Sequence, residues 1–211
     1  MRGLPSPERR RAVRYPRLLI ATTNSGKLRE ILALLNGVAN QLLTVADWPS
    51  VTAPEETGRT FSENARLKAL HYAAATGLPT VAEDSGLEID VLGGAPGVES
   101  ARLGGVQTTY PEKFRLIYAR LGAESNDAAA RFVCALALAD RGRIVFEASG
   151  TVEGTVAPAP RGSGGFGYDP IFYYPPFGCT LAEAGERKAE VSHRARAFRE
   201  LKAHLLSADR A

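Results

Sequence analysis

The chain has 211 residues, 45% hydrophobic and 23% charged, which suits one soluble globular domain with a real core. No apolar run approaches the roughly 20 residues that cross a bilayer, and two distant cysteines (Cys134, Cys179) with three histidines give no zinc spacing. The net charge of +3 sits in the first 17 residues, where six arginines against Glu8 carry +5; the rest carries −2, which argues against a nucleic-acid-binding module.

Residues 1–16 contain Pro5, Pro7 and Pro16 and no apolar core, so they read as a disordered basic arm and not as a secretory signal. A single domain is expected from 17 to 208, in the cytoplasm. It opens with a short apolar strand, Leu18 to Ala21, and a helix from Lys27 to Leu35 with Ile31, Leu34 and Leu35 on one side. Leu42 to Val45 reads as a second strand, followed by a polar loop through Pro54, Glu55, Glu56 and Gly58. Thr60 and Glu63 form a T-x-x-E capping box ahead of an alanine-rich helix to about Ala75, stopped by Gly77 and Pro79. Leu78 to Ala82 reads as a short buried strand. A helix is expected from Tyr110 to Leu121. Two long strands, Phe132 to Ala139 and Arg143 to Val156, make a hairpin at Asp140-Arg141-Gly142. A glycine-rich loop, 162–167, leads into the apolar run Ile171 to Tyr173. The last helix starts after Ser192, with Ala195, Phe198, Leu201 and Leu205 buried. Strands and helices alternating early, then paired strands, then a helix, predict α/β with a mixed sheet.

Six segments carry residues suited to chemistry. Thr22-Thr23-Asn24-Ser25-Gly26-Lys27 lies between a strand and a helix, where helix-start N–H groups, hydroxyls and a lysine suit a phosphate. It is not a Walker A loop, because Ala21 and Leu28 stand where glycine and a hydroxyl are needed; a capped turn is the plainer alternative. Asn64, Lys68 and His71 share one helix face, as ligand contacts or as a solvated stripe. Glu83, Asp84, Glu88 and Asp90 place four acids in eight residues after an apolar strand. Like charges so close call for a divalent cation or for full solvation, and Glu55 or Glu56 offers a further ligand. Gly93 to Gly97 makes a tight loop presenting Ser100 and Arg102, most simply a structural turn. Phe166-Gly167-Tyr168-Asp169 offers aromatic faces with little bulk around them, which suits a flat base. Lys188, His193 and Arg194 approach a helix start whose dipole disfavours cations unless an anion or an acceptor-rich ligand is present.

Together these segments resemble the inosine/xanthosine triphosphate pyrophosphatase family. The resemblance rests on LLIATTNSGKLREI, EETGRTFSENARLKA, AEDSGLEIDVLGGAPGVESAR, GSGGFGYDPIF and KAEVSHRARA, which run in family order from Leu18 to Ala197. It implies an α/β fold with an elongated mixed sheet, flanking helices and two lobes around a central cleft. It also implies a homodimer, and Mg²⁺-dependent hydrolysis of dITP, ITP or XTP to the monophosphate and pyrophosphate. Carried over by position, Thr22 to Lys27 form the phosphate loop, Asp84 is the catalytic carboxylate and Ser85 a substrate contact. Glu56 and Asp84 hold the metal, with Glu55 close enough to compete. Phe166 to Asp169 bind the base, Lys188, His193 and Arg194 complete the nucleotide contacts, and Lys68 touches phosphate. Thr23, Glu83 and Ala189 depart from the usual family residues without removing a required group.

Asp84 or Glu83 is then expected to orient or deprotonate water, while Lys27 and Lys68 offset charge on the departing pyrophosphate. Hypoxanthine and xanthine carry a carbonyl where adenine carries an amino group, and arginine only donates, so Arg194 suits the former. Two other readings are a pyrophosphatase for pyrimidine or other modified nucleotides and a silent nucleotide sensor.

Overall fold

The computed structural model describes residues 14–122 and 127–207. The first 13 residues of the expected arm lie outside the described residues. The body begins before Arg17: Tyr15 is already buried, against Leu18, Leu35 and Leu205.

Among the described residues, seven strands form one sheet in the order β2-β1-β3-β4-β5-β6-β7. They are β1 (Arg17–Ala21), β2 (Gln41–Thr44), β3 (Thr80–Ile89), β4 (Ala129–Asp140), β5 (Arg143–Val156), β6 (Phe172–Tyr174) and β7 (Cys179–Thr180). The helices are α1 (Ser25–Leu34), α2 (Phe61–Thr76), α3 (Tyr110–Leu121), α4 (Lys188–Val191) and α5 (His193–Ser207). β1 runs parallel to β2 and β3, and the remaining pairings are antiparallel, so the sheet is mixed as expected.

Period-two alternation sets the layers. Leu18 and Ile20 face α1 and α5, where Ile31, Phe198 and Leu201 pack. Leu19 and Ala21 face α2, whose Ala65, Ala69 and Ala73 meet Ala82, Ala137 and Ala139 across a small-residue interface. A second lobe gathers Leu87, Ile89, Phe114, Ile117, Phe132, Val152 and Phe172 around the far ends of β3, β4 and β5. β3 and β4 therefore run through both lobes.

Local signals account for most boundaries. The Thr60 hydroxyl accepts from Glu63 N at 3.1 Å, a cap worth about 1 kcal/mol. Gly77 closes α2 at φ 69°. Arg141 and Gly142 both have positive φ, which suits the tight hairpin between β4 and β5. Ser192 Oγ accepts from Ala195 N at 3.0 Å and caps α5.

Two expectations need correction. The first helix begins at Ser25 and not Lys27, because the Asn24 side chain accepts from Lys27 N at 3.0 Å and starts the helix earlier. The strand expected to stop at Ala82 continues to Ile89, carrying Glu83 and Asp84 inside it. Its backbone stays paired with β4 in the register Glu83↔Leu136 and Asp84↔Ala135, and cations neutralise the carboxylates on either face.

β5 approaches α5 at Gly150. A Cβ there would lie 2.2 Å from the His193 carbonyl oxygen, so only glycine lets the first turn of α5 seat on the strand.

Candidate active site

The strand order reverses at β1, which α1 connects to β2 on one side and which pairs with β3 on the other. Ligand crevices of α/β sheets open at such a switch point, beyond the carboxyl ends of the strands. Here β1 stops at Ala21 while β3 runs on to Ile89, leaving a cleft of about 270 Å³ between the lobes.

The α1 start forms one end. Thr22, Thr23, Asn24 and Lys27 line the cleft, whereas Ser25 and Gly26 are not in its wall. Gly26 is still needed beside it: a Cβ there would stand 2.8 Å from Cγ of Phe166. Lys27 Nζ lies 3.1 Å from Glu83 Oε1.

The two acids of β3 separate by strand alternation. Glu83 points to the α1 and α5 side, fully buried, where Lys27, Arg194 and the Cys134 thiol hold its oxygens. Burial alone would raise this carboxyl, yet Arg194 and Lys27 outweigh it and hold the pKa well below the usual carboxylate range. Asp84 points to the α2 side. It accepts from Asn64 Nδ2 at 3.1 Å and from Ser85 N at 3.0 Å, with Lys68 Nζ at 3.5 Å. Burial pushes the Asp84 carboxyl up, against the pull of Lys68.

Lys68 also reaches Glu56 Oε1 at 2.5 Å, so one ammonium bridges Glu56 and Asp84. Burial works against that charge, but Asp84 and Glu56 raise its pKa. A cation held between two carboxylates is the donor chemistry that magnesium uses when phosphates complete its shell. Among the described residues no group of three or more acids, histidines and cysteines is arranged to hold a metal, and Glu56 and Asp84 are the pair that Lys68 bridges. Glu55 is exposed and outside the lining, which separates it from Glu56.

The aromatic loop packs beside the α1 start, where Gly26 leaves room for the Phe166 ring. Phe166, Gly167, Tyr168 and Asp169 all line the cleft but differ in what they touch. The Phe166 ring lies over Lys188 Nζ at 4.6 Å and the Arg194 guanidinium at 5.5 Å. Tyr168 donates its hydroxyl to the Ser100 carbonyl at 2.7 Å. Asp169 accepts from Phe166 N at 2.8 Å and from Lys188 Nζ at 2.7 Å, which fixes the loop.

The cations whose approach to a helix start looked unfavourable are compensated internally. Arg194, 1% exposed, donates to Glu30, to Glu83 and to Ser85 Oγ at 2.9 Å, while Lys188 reaches Glu30 at 2.9 Å. Burial works against the Arg194 charge, but Glu83 and Glu30 raise its pKa. His193 stacks on Phe132 with centroids 4.9 Å apart, and burial, then Arg194, pushes its pKa well down, leaving a neutral ring. Among the described residues, its Nδ1 and the Arg194 Nε are buried and meet no hydrogen-bond partner.

Sequence reasoning missed Glu30, the shared partner of Lys188 and Arg194, which sits one turn after Lys27 on α1 and looks like a solvated helical acid. Tyr72, Tyr110 and Phe132 also line the cleft without having been singled out. Asn64 and Lys68 join the site, whereas His71 turns to the carbonyl of Thr52 at 2.8 Å.

Comparison with known proteins agrees with the fold. The Ham1 family model matches residues 18–204. A dITP/XTP pyrophosphatase of Thermus thermophilus is 47% identical over 190 residues, covering 90% of this chain and 91% of the relative. One of Exiguobacterium sp. is 44% identical over 191 residues, covering 90% and 97%. Among solved structures, a HAM1 protein from Coxiella burnetii superimposes with a TM-score of 0.83 at 40% identity, over 90% of this chain and 98% of that one. The Staphylococcus aureus Ham1 protein gives 0.81 at 34% identity, over 90% and 97%. With the family match spanning both lobes and every cleft-lining segment, the chain belongs to the Ham1 family.

Proposed function

We propose that the protein hydrolyses non-standard purine nucleoside triphosphates, dITP, ITP and XTP, to the monophosphate and pyrophosphate. The observation that carries this reading is one cleft that holds a helix-start phosphate site and a Lys68-bridged carboxylate pair. Beside the helix start, Phe166 lies over two buried cations. The relatives' activity supports the same class of hydrolase.

The α1 start and Lys27 take the phosphates, and the Phe166 face takes the purine. Glu56 and Asp84 would hold magnesium, which when bound would neutralise phosphate charge. Asp84 accepts the proton of the attacking water. Glu83, whose oxygens are occupied by Lys27, Arg194 and Cys134, positions those groups instead. Lys27 and Lys68 offset charge on the leaving pyrophosphate. Attack at the α-phosphorus comes from the family resemblance. Arg194 donates to the purine carbonyl that adenine lacks. Among the described residues no helix is long and apolar enough to cross a membrane. A cytoplasmic homodimer belongs to this reading, and sedimentation velocity on the full chain should find twice the monomer mass.

Pyrophosphate release with Mg²⁺ and ITP, XTP, dITP, ATP and GTP, compared in parallel, tests the reaction. Rapid release from the first three alone is expected. In Arg194→Ala the ITP-over-ATP preference should fall by about a hundredfold or more, since a site built to hydrogen-bond a substrate group discriminates more strongly than a hydrophobic pocket. Equal turnover of all five overturns the selectivity, an unchanged preference removes Arg194 from it, and no release favours a nucleotide sensor.

A further inference from the structure

Arg102 lies outside the cleft wall, yet the residues just before it, Ser100 and Ala101, are part of that wall. Four anchors fix where its side chain begins. Ser100 Oγ accepts from Leu87 N at 2.9 Å. The Ser100 carbonyl accepts from the Tyr168 hydroxyl at 2.7 Å, and the Ala101 carbonyl from Lys113 Nζ at 2.5 Å. Arg102 N donates to the Glu99 carbonyl at 2.8 Å. From there Nη1 donates to Glu56 Oε2 at 2.8 Å, while Nε and Nη2 fork onto Glu99 at 3.3 and 3.2 Å.

Glu56 needs such support. It belongs to a stretch before α2 without regular hydrogen bonding, and its side chain is held by Lys68 and Arg102. The two divide its oxygens. Arg102 takes Oε2, and Oε1 is left on the side where Lys68 also meets Asp84. Glu99 offsets the guanidinium charge, so the clamp orients Glu56 without adding a net positive charge that would repel a metal. Ligating carboxylates are usually held by such partners.

We infer that Arg102 is a positioning residue, which fixes Glu56 in the orientation that a divalent cation requires alongside Asp84. The inference rests on the reading of Glu56 and Asp84 as metal ligands. Arg102 belongs to the loop that Tyr168 braces, so the same segment ties the base-binding loop to the metal carboxylate.

The test is Mn²⁺ binding to the full chain, followed by the electron paramagnetic resonance signal of free Mn²⁺, beside the Mg²⁺ dependence of ITP turnover. Arg102→Ala should weaken Mn²⁺ binding by about tenfold and shift the Mg²⁺ midpoint upward alike, the low end for a lost ligand-supporting partner. At saturating Mg²⁺, kcat should return to within about twofold of the parent, since the chemistry does not use Arg102. Arg102→Lys, which keeps one donor but not the fork, should recover part of the affinity. Glu99→Gln, an exposed change that keeps the fold, should also weaken binding because the clamp then carries a net charge. Glu56→Gln is the reference. If it loses Mn²⁺ binding while Arg102→Ala and Glu99→Gln do not, the Arg102 inference is overturned and the metal reading stands. If Glu56→Gln binds Mn²⁺ as the parent does, both fall.

Discussion

Asp84→Asn is expected to lower ITP turnover by about a thousandfold, within the range for losing a positioned general base. The substitution keeps the shape of the side chain and a partner for Asn64, so folding should be intact. ITP binding measured by calorimetry should stay detectable, because the α1 start and the Phe166 ring beside it are unchanged. Activity within tenfold of the parent would assign the proton to another group.

Glu83→Gln should act first on stability. The Glu83 side chain is fully buried and faces Lys27 and Arg194; removing its charge leaves Arg194 paired with Glu30 and Lys27 without an ion pair among the described residues. Breaking a buried pair by removing one partner costs about 3–5 kcal/mol. At about 2–4 °C per kcal/mol for a chain of this size, the melting temperature should fall by roughly 6–20 °C. Scanning calorimetry measures it directly. An unchanged melting temperature with turnover lost as deeply as in Asp84→Asn would instead give Glu83 the base role. The contrast between the two neighbours follows from strand alternation, which sends one carboxylate to α1 and α5 and the other to α2.

What the sequence made legible was whatever acts over a few residues. The Thr60 cap, the Ser192 cap and the turn at Arg141-Gly142 each announce themselves locally and stand where expected, although Glu63 returns its carboxylate to Arg59 N and not to Thr60 N, so the box is not closed. The extent of β3 was not legible, because nothing near Glu83 in sequence says that Leu136 will pair with its backbone or that Arg194, 111 residues away, will meet its charge. The same holds for Glu30. Its role exists only once α1 and α5 are side by side, and a helical glutamate without that contact is indistinguishable from a solvated one. The Thr22 to Lys27 loop, the acidic segment and the aromatic loop were visible as separate pieces, and the family resemblance joined them. Of those, Ser25 and Gly26 turned out to stand beside the cleft and not in it.

The seat of α5 on Gly150 bears on how variation at this locus reads. Position 150 touches no cleft residue through a side chain of its own, yet any side chain there pushes on the turn that carries His193 and Arg194. A genetic variant at Gly150 would therefore mimic a substrate-site defect in its phenotype. Its origin would be steric, and a compensating change would be sought in the contact between α5 and β5 and not among the residues that meet the nucleotide.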